Sequence, residues 1–379
     1  MFFEEKLKLL THIHGQLQMK NTDLLTVKNR FSTRLLKWNR EQNTRQMPWK
    51  GEKDPYKIWL SEIILQQTRV EQGLNYYNNF IKKFPNIHKL AKATDSTIFK
   101  LWEGLGYYTR CRNLIATARY ISKKLHGKFP DTYEDIKALK GIGPYTAAAI
   151  SSFAFNLPHA VVDGNVFRVL ARVYGINTSI DSTEGKKIFT ALADKLLDIK
   201  QPGLYNQAIM DFGAVVCKPA SPHCTKCVFK KNCFAFLNNK VNELPVKEKK
   251  ITIKKRWFYY LVLEYKNEMA IRQRNQKDIW QDLYEFPLIE TEMEMDKESI
   301  LQTLKRKKWL LKKNYEVVSV SALFKQQLSH QLIAGQFLKL RLKQKPALKS
   351  DWIWLTKTKA DKYAFPQFIN QYLREYITG

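Results

Sequence analysis

The sequence predicts a multi-domain chain, an all-α domain followed by a smaller α+β domain, joined by a basic linker. Three observations predict it. From Phe31 to about Ala235, apolar residues recur at three- and four-residue spacing between Gly and Pro breaks, which is the helical period. From Arg256 onward, short runs rich in aromatic and β-branched residues carry the strand signature. Between them, Asn238–Lys255 is polar and Lys-rich, contains Pro245 and has no apolar period, as a linker does.

In chain order, residues 1–28 read as a loosely specified leader, helical around Phe2–Leu10, with little function expected of it. Residues 29–237 make the helical domain. Its clearest helical segments are Ile58–Phe80, Thr109–Leu125, Thr132–Leu139, Tyr145–Phe155, Val166–Tyr174 and Thr183–Leu197. After the linker at 238–255, the domain at 256–379 opens with a strand at Arg256–Tyr265. A turn at Lys266–Asn267 leads into Glu268–Arg272, and strand patterns return at Val317–Phe324 and Gln336–Leu342. Helical patterns at Asp296–Lys307 and Pro366–Tyr376 complete the α+β pattern.

Charge narrows the partner. Among 379 residues, 64 Lys and Arg stand against 35 Asp and Glu, a net +29, which suits a polyanion and nucleic acid first. No apolar run approaches the ~20 residues that span a bilayer. Glu4 and Glu5 interrupt the apolar stretch at the N-terminus, a poor signal peptide. A cytoplasmic, DNA-associated protein with no membrane partner is the expectation.

Of the five cysteines, Cys217, Cys224, Cys227 and Cys233 crowd together as C-x6-C-x2-C-x5-C. Short loops bring four sulfurs around one centre at small entropic cost, and in a reducing compartment such clustering points to metal rather than disulfides. A single close pair with wide flanking gaps favours a [4Fe–4S] cluster, with zinc as the open alternative. Lys218, Lys226, Lys230 and Lys231 would aim this loop at phosphate. Cys111 stands alone and reads as an inert thiol.

Leu139-Lys140-Gly141-Ile142-Gly143-Pro144-Tyr145 joins two helical segments. Gly141 and Gly143 permit a tight turn with N–H groups exposed at a helix start, a phosphate-binding arrangement or a plain αα-turn. Two carboxylates stand out. Glu62 sits among apolar residues, where burial would raise its pKa and make it a proton donor, although a place on a polar face stays open. Asp163 stands where an N-cap is expected, a role compatible with catalysis because a capped carboxylate stays ionised.

Together these motifs resemble the helix-hairpin-helix DNA glycosylases, and among them the MutY-type adenine glycosylases. Met47-Pro48-Trp49-Lys50, Trp59 through Thr68, Gly104-Leu105-Gly106-Tyr107-Tyr108, the hairpin, Asp163 through Leu170 and Asn206-Gln207-Ala208 stand in the family's order, and the likeness runs from Phe31 to Tyr372. It implies a helix-hairpin-helix glycosylase domain with a C-terminal [4Fe–4S] loop, then a MutT/Nudix-like domain. It implies a monofunctional glycosylase that excises adenine opposite 8-oxoguanine or guanine in duplex DNA, acting as a monomer. Glu62 would protonate the adenine, Asp163 would steady the sugar cation, and Tyr145 and Asn165 would position them. Arg45, Trp49, Leu65 and Gln207 would line the adenine pocket. Gln67 and Tyr107 would enter the duplex, with Gly141 and Gly143 on its backbone. Endonuclease III-like relatives carry a lysine nucleophile at the hairpin where this chain has Tyr145, so the resemblance implies hydrolysis by water without lyase chemistry.

In the second domain, Arg272 through Pro287 resembles the MutT-like domain, and no Gly-led glutamate cluster follows Phe286, which argues against nucleotide hydrolysis. Leu328-Ser329-His330 aligns with a Phe-Ser-His loop, so Ser329 and His330 are the implied 8-oxoguanine contacts, with leucine in place of the phenylalanine. Lys305-Arg306-Lys307-Lys308 reads as a solvated helix face. Two other readings remain, a pyrimidine-lesion glycosylase with lyase activity and a non-enzymatic DNA-binding module.

Overall fold

The computed structural model describes residues 24–248, 252–306, 314–345 and 352–376. The helix expected at Phe2–Leu10 of the leader and the end of the Lys305–Lys308 run lie outside them. The chain forms two compact units: Met1–Ala91 with Ala116–Lys249, and Lys92–Ile115 with Lys250–Gly379. Residues 92–115 thus group with the strand-rich part of the chain, although their own pattern is helical.

The helices of the first part of the chain are α1 Leu24–Glu41, α2 Pro55–Leu65, α3 Val70–Lys83, α4 Ile87–Lys92, α5 Asp95–Trp102, α6 Tyr108–Lys124, α7 Tyr133–Ala138, α8 Pro144–Phe155, α9 Gly164–Tyr174, α10 Thr183–Leu196, α11 Pro202–Val215 and the short α12 Phe234–Leu237. Most start at recognisable caps. Asp54, Thr132, Asp163 and Ser182 each accept a backbone N–H from the first turn, and Pro55, Pro144 and Pro202 occupy first-turn positions where no N–H is needed.

The segment Ile58–Phe80 is two helices rather than one. Gln66 leaves helical geometry, Gln67 takes φ 55°, and Arg69 caps α3. No Gly or Pro marks this break; the sequence shows there only a run of four polar residues, Gln66 to Arg69. Helix α11 escapes the sequence pattern for the opposite reason: Tyr205, Asn206, Ala208, Ile209, Asp211, Phe212 and Gly213 are all buried, leaving no polar stripe to reveal a period. The core of this unit gathers Leu35 and Trp38 of α1, Val166, Val169 and Leu170 of α9, Phe189 of α10, and Ile209 and Phe212 of α11. Helices α9 and α11 approach closely at Gly213, where a Cβ would lie 2.6 Å from Asn165 Cβ.

The second unit carries a mixed sheet of β1 Lys254–Tyr265, β2 Glu268–Gln273, β3 Tyr284–Glu285, β4 Leu288–Thr291, β5 Tyr315–Val320, β6 Phe324–Gln327, β7 Gln331–Leu342 and β8 Trp352–Thr356, with α13 Lys297–Arg306 and α14 Gln367–Tyr376. Its path runs β3-β2-β1-β7-β5, while β4 pairs with β1, β6 with β7 and β8 with β2. Strands β1 and β7 are parallel from Lys254↔Gln331 to Glu264↔Arg341; the other pairs are antiparallel. The Val317–Phe324 pattern divides into β5 and β6, because the chain leaves the ladder at Ser321, whose Oγ instead accepts from Phe337 N. Strand β7 begins five residues before the alternating stretch that announces it at Gln336.

Candidate active site

Helix α2 decides where Glu62 goes. Tyr56, Ile58, Trp59, Leu60, Ser61, Ile63 and Ile64 are buried with it, so the helix has no polar face to offer a carboxylate. Glu62 is 8% exposed. Burial pushes its carboxyl up to about 7, with the negative charge of Asp163 adding to the rise and a hydrogen bond from Tyr145 opposing it. A carboxyl of that kind is protonated for much of the time at neutral pH and is placed to act as an acid.

Tyr145 is the second residue of α8, directly after the Gly143-Pro144 start. Asp163 caps α9: its Oδ1 accepts from Asn165 N at 2.9 Å and Val166 N at 2.8 Å, and its Oδ2 accepts from Asn165 Nδ2 at 2.8 Å. Burial raises the Asp163 carboxyl, while these three donors and the Arg168 charge pull it back. Capping therefore opposes protonation of Asp163 without cancelling the effect of burial. Arg168 ties the arrangement together, donating from Nη2 to Asn165 Oδ1 at 2.8 Å and Gly213 O at 2.7 Å, and from Nε to Cys217 O at 2.6 Å.

One cavity of about 790 Å³ is lined by Arg45, Trp49, Glu62, Leu65, Gln67, Tyr145, Asp163, Asn165 and Gln207. Nine residues singled out from separate stretches of sequence thus share one space. Trp49 is fixed edge-on against Tyr77, with ring centroids 5.3 Å apart. Leu65 closes over Gly73, where a Cβ would stand 2.7 Å from its Cδ2.

A residue the sequence reading missed organises the far wall. Asp211 is fully buried, and its carboxylate accepts from Arg45 Nη1 at 2.9 Å, Gln207 Nε2 at 3.0 Å, Asn43 Nδ2 at 2.8 Å and Lys50 Nζ at 3.2 Å. Two cations on one buried carboxylate leave a local positive excess at the cavity wall. The available signal was the four-residue spacing from Gln207 to Asp211, which puts both on one face of α11.

Gln67 and Tyr107 both occupy left-handed backbone, at φ 55° and 47°, unusual for residues with a Cβ. Tyr107 is 44% exposed, and the Arg110 guanidinium lies 5.3 Å from its ring centroid. Tyr107, Ser329 and His330 line a separate cavity of about 380 Å³ in the second unit, where the Tyr107 hydroxyl meets Ser329 Oγ. In the hairpin, Gly141 takes φ 81°, which accounts for its being glycine. Gly143 has an ordinary φ of −94°, and nothing stands within 4 Å of where its Cβ would be, so no neighbour within the chain requires a glycine there.

Cys217, Cys224, Cys227 and Cys233 line one small cavity with Arg172 and His223. Phe229 N donates to Cys227 Sγ at 3.4 Å and Arg172 Nη1 to Cys217 Sγ at 3.6 Å. Among the described residues, no three His, Cys, Asp or Glu side chains are gathered as they would be around a single metal ion. Cys111 is buried, and burial raises its thiol far above the usual range, as an inert thiol requires. No helix among the described residues is long and apolar enough to cross a membrane.

Residues 60–195 match the family described as HhH-GPD superfamily base excision DNA repair protein, and residues 258–375 match the NUDIX domain. An adenine DNA glycosylase of Buchnera aphidicola subsp. Baizongia pistaciae is 39% identical over 303 residues, covering 79% of this chain and 83% of the relative. The adenine DNA glycosylase of Homo sapiens is 41% identical over 214 residues, 54% of this chain and 39% of that protein. Among solved structures, a thermostable thymine-DNA glycosylase aligns over 57% of this chain and all of its own, at TM-score 0.51 and 28% identity.

Proposed function

From the premise that this chain belongs to the adenine DNA glycosylases of the helix-hairpin-helix base-excision repair superfamily, we propose that it excises adenine opposite 8-oxoguanine or guanine in duplex DNA, by hydrolysis and without a covalent enzyme intermediate. Enzymes of this class are hydrolases of N-glycosyl bonds. The observation that carries the proposal is a buried, protonatable Glu62 sharing one cavity with the capped Asp163.

A purine anion is a poor leaving group, so the base must be protonated as its bond to the sugar breaks. Glu62 in its acid form supplies that proton to N7, a contribution of about 10²–10⁴ in rate for a positioned general acid. Asp163, held by Asn165 and the first turn of α9, faces the oxocarbenium-like sugar in the manner of a glycosidase carboxylate. The target base has to leave the duplex to reach this cavity. Arg45, Trp49, Leu65 and Gln207 then surround the base. Gln67 and Tyr107 enter the stack, and the exposed N–H groups of the Gly141–Gly143 turn meet phosphate. Tyr145 is not an amine and forms no Schiff base, so water completes the reaction.

In the second unit, Ser329 and His330 are the proposed contacts to 8-oxoguanine. Glu285 is 1% exposed and engaged by Arg272 at 3.0 Å and by Arg274, so it has no free oxygen to offer a divalent ion of the kind a nucleotide hydrolase uses.

The four cysteines fit a [4Fe–4S] cluster. They line one cavity, two of their sulfurs receive N–H donors, and a multi-atom centre spreads its thiolates wider than a single ion does. Bound there, the cluster would staple the 217–233 loop and present its lysines to DNA.

The test is a duplex carrying adenine opposite 8-oxoguanine, incubated with the protein and cleaved in alkali. Strand scission at the adenine is expected, with almost none for Glu62→Gln. Full activity of that variant would refute the assignment, and a borohydride-trapped adduct would refute the monofunctional chemistry.

A further inference from the structure

The Tyr145 hydroxyl has two neighbours of opposite character. It donates to Met210 Sδ at 3.5 Å, and it lies near enough to the Glu62 carboxyl for a hydrogen bond between them to favour the carboxylate. A phenol has only one proton to donate. When Glu62 is ionised, the carboxylate takes that proton. When Glu62 carries its own proton, it can donate to the phenol oxygen, and the phenol proton then needs another acceptor. The thioether of Met210 is a weak acceptor in that position.

We propose that Met210 is a positioning residue, accepting the Tyr145 proton while Glu62 is in its acid form and releasing it to Glu62 once the acid has discharged. The balance is simple. Glu62 gives its proton to the base and becomes a carboxylate, and the Tyr145 O–H turns from sulfur to that carboxylate. No bond to carbon or sulfur changes. This inference rests on Glu62 being the acid.

Methionine is also the most adaptable core filler, and a thioether needs no polar partner. What distinguishes Met210 is its place: it lies three residues after Gln207 on α11, lines the same cavity, and touches Tyr145 through its sulfur. Of the other titratable groups lining that cavity, Asp163 at the head of α9 also acts on Glu62, and Arg45 and Lys50 are engaged by Asp211. Glu52 is hydrogen-bonded to Lys57, and Lys53 to Phe153 O.

The test is the pH profile of single-turnover adenine release. In Met210→Leu, which keeps the volume and removes the acceptor, the alkaline limb should move down by about half a pH unit, as loss of a weak hydrogen bond to one protonation state requires. Met210→Gln, which restores an acceptor, should return the limb. In a Tyr145→Phe background, Met210→Leu should produce no further movement. An unmoved limb in Met210→Leu, or an equal movement with and without the Tyr145 hydroxyl, overturns the proposal. If Met210→Leu does not fold by thermal melting, Met210→Gln with and without the hydroxyl makes the same comparison, with the limb expected to depend on residue 210 only when Tyr145 is present. A Glu62→Gln enzyme with full activity would sink the underlying reading instead, whereas an inactive Glu62→Gln beside an unmoved Met210→Leu limb sinks only the role of Met210.

Discussion

The guanidinium of Arg45 lies 2.9 Å from Oδ1 of Asp211, a fully buried carboxylate that also holds Lys50, Asn43 and Gln207. Asp211 does not line the cavity, yet three of its four partners face or flank the space where a base would sit. Replacement by asparagine keeps the shape and leaves two cations without their counter-charge. Breaking a buried pair in this way costs about 3–5 kcal/mol. The lower end applies, because Arg45 and Lys50 are each 25% exposed and can recover water. Asp211→Asn should therefore lower the thermal midpoint by several degrees and weaken adenine excision even where the protein is fully folded. An unchanged midpoint would show that the network carries no stability.

Glu62 illustrates a site that costs its fold. Its carboxyl rises from the usual 4.5 to about 7 on folding, so the folded state resists its ionisation. The unfolded chain ionises it above pH 4.5, and the penalty is complete above about pH 7, where it reaches about 3 kcal/mol. Below pH 4.5 both states are protonated and the penalty vanishes. Glu62→Gln removes the ionisable group, so the variant should be more stable than the parent at pH 8 and no more stable at pH 4, while losing catalysis. Denaturant titrations at the two pH values check the sign. Equal gains at both would mean that packing, not charge, is responsible.

Legibility from sequence followed the range of the interaction. Glu62 was visible because its apolar neighbours are adjacent in the chain, and Asp163 because a cap is a local device. Asp211 was not, since Arg45 and Lys50 reach it from 166 and 161 residues away. The break at Gln66–Arg69 was hidden for a different reason: it depends on a left-handed Gln67, which no glycine announces. Buried helices such as α11, and strands such as β7 whose first half lacks strict alternation, lose the periodic contrast on which pattern reading depends.

The cysteine loop offers a test by removal. Arg172 anchors this loop through Lys218 O at 2.8 Å, Pro219 O at 3.2 Å and the Cys217 sulfur. With a cluster bound, purified protein should be brown. Cys224→Ala should lose the colour together with iron and acid-labile sulfide, and weaken DNA binding before it affects the helical core. Retention of one zinc per chain and no iron would identify the alternative metal.

Gly143 and Gly213 separate binding from folding. A Cβ at residue 213 would lie 2.6 Å from Asn165 Cβ and 3.0 Å from its carbonyl oxygen, so Gly213→Ala must push α9 and α11 apart. Overpacking of that kind costs about 1–3 kcal/mol and would displace the Asn165 that holds Asp163. At Gly143 a Cβ meets nothing within 4 Å, and φ −94° suits any residue. On the proposed reading, glycine there serves the close approach of a phosphate to the N–H groups at the start of α8. Gly143→Ala should therefore leave the thermal midpoint unchanged or slightly raised, while weakening duplex affinity several-fold for matched and mispaired DNA alike. Fluorescence anisotropy with both duplexes decides the matter, and unaltered affinity would remove the hairpin from the DNA-binding surface.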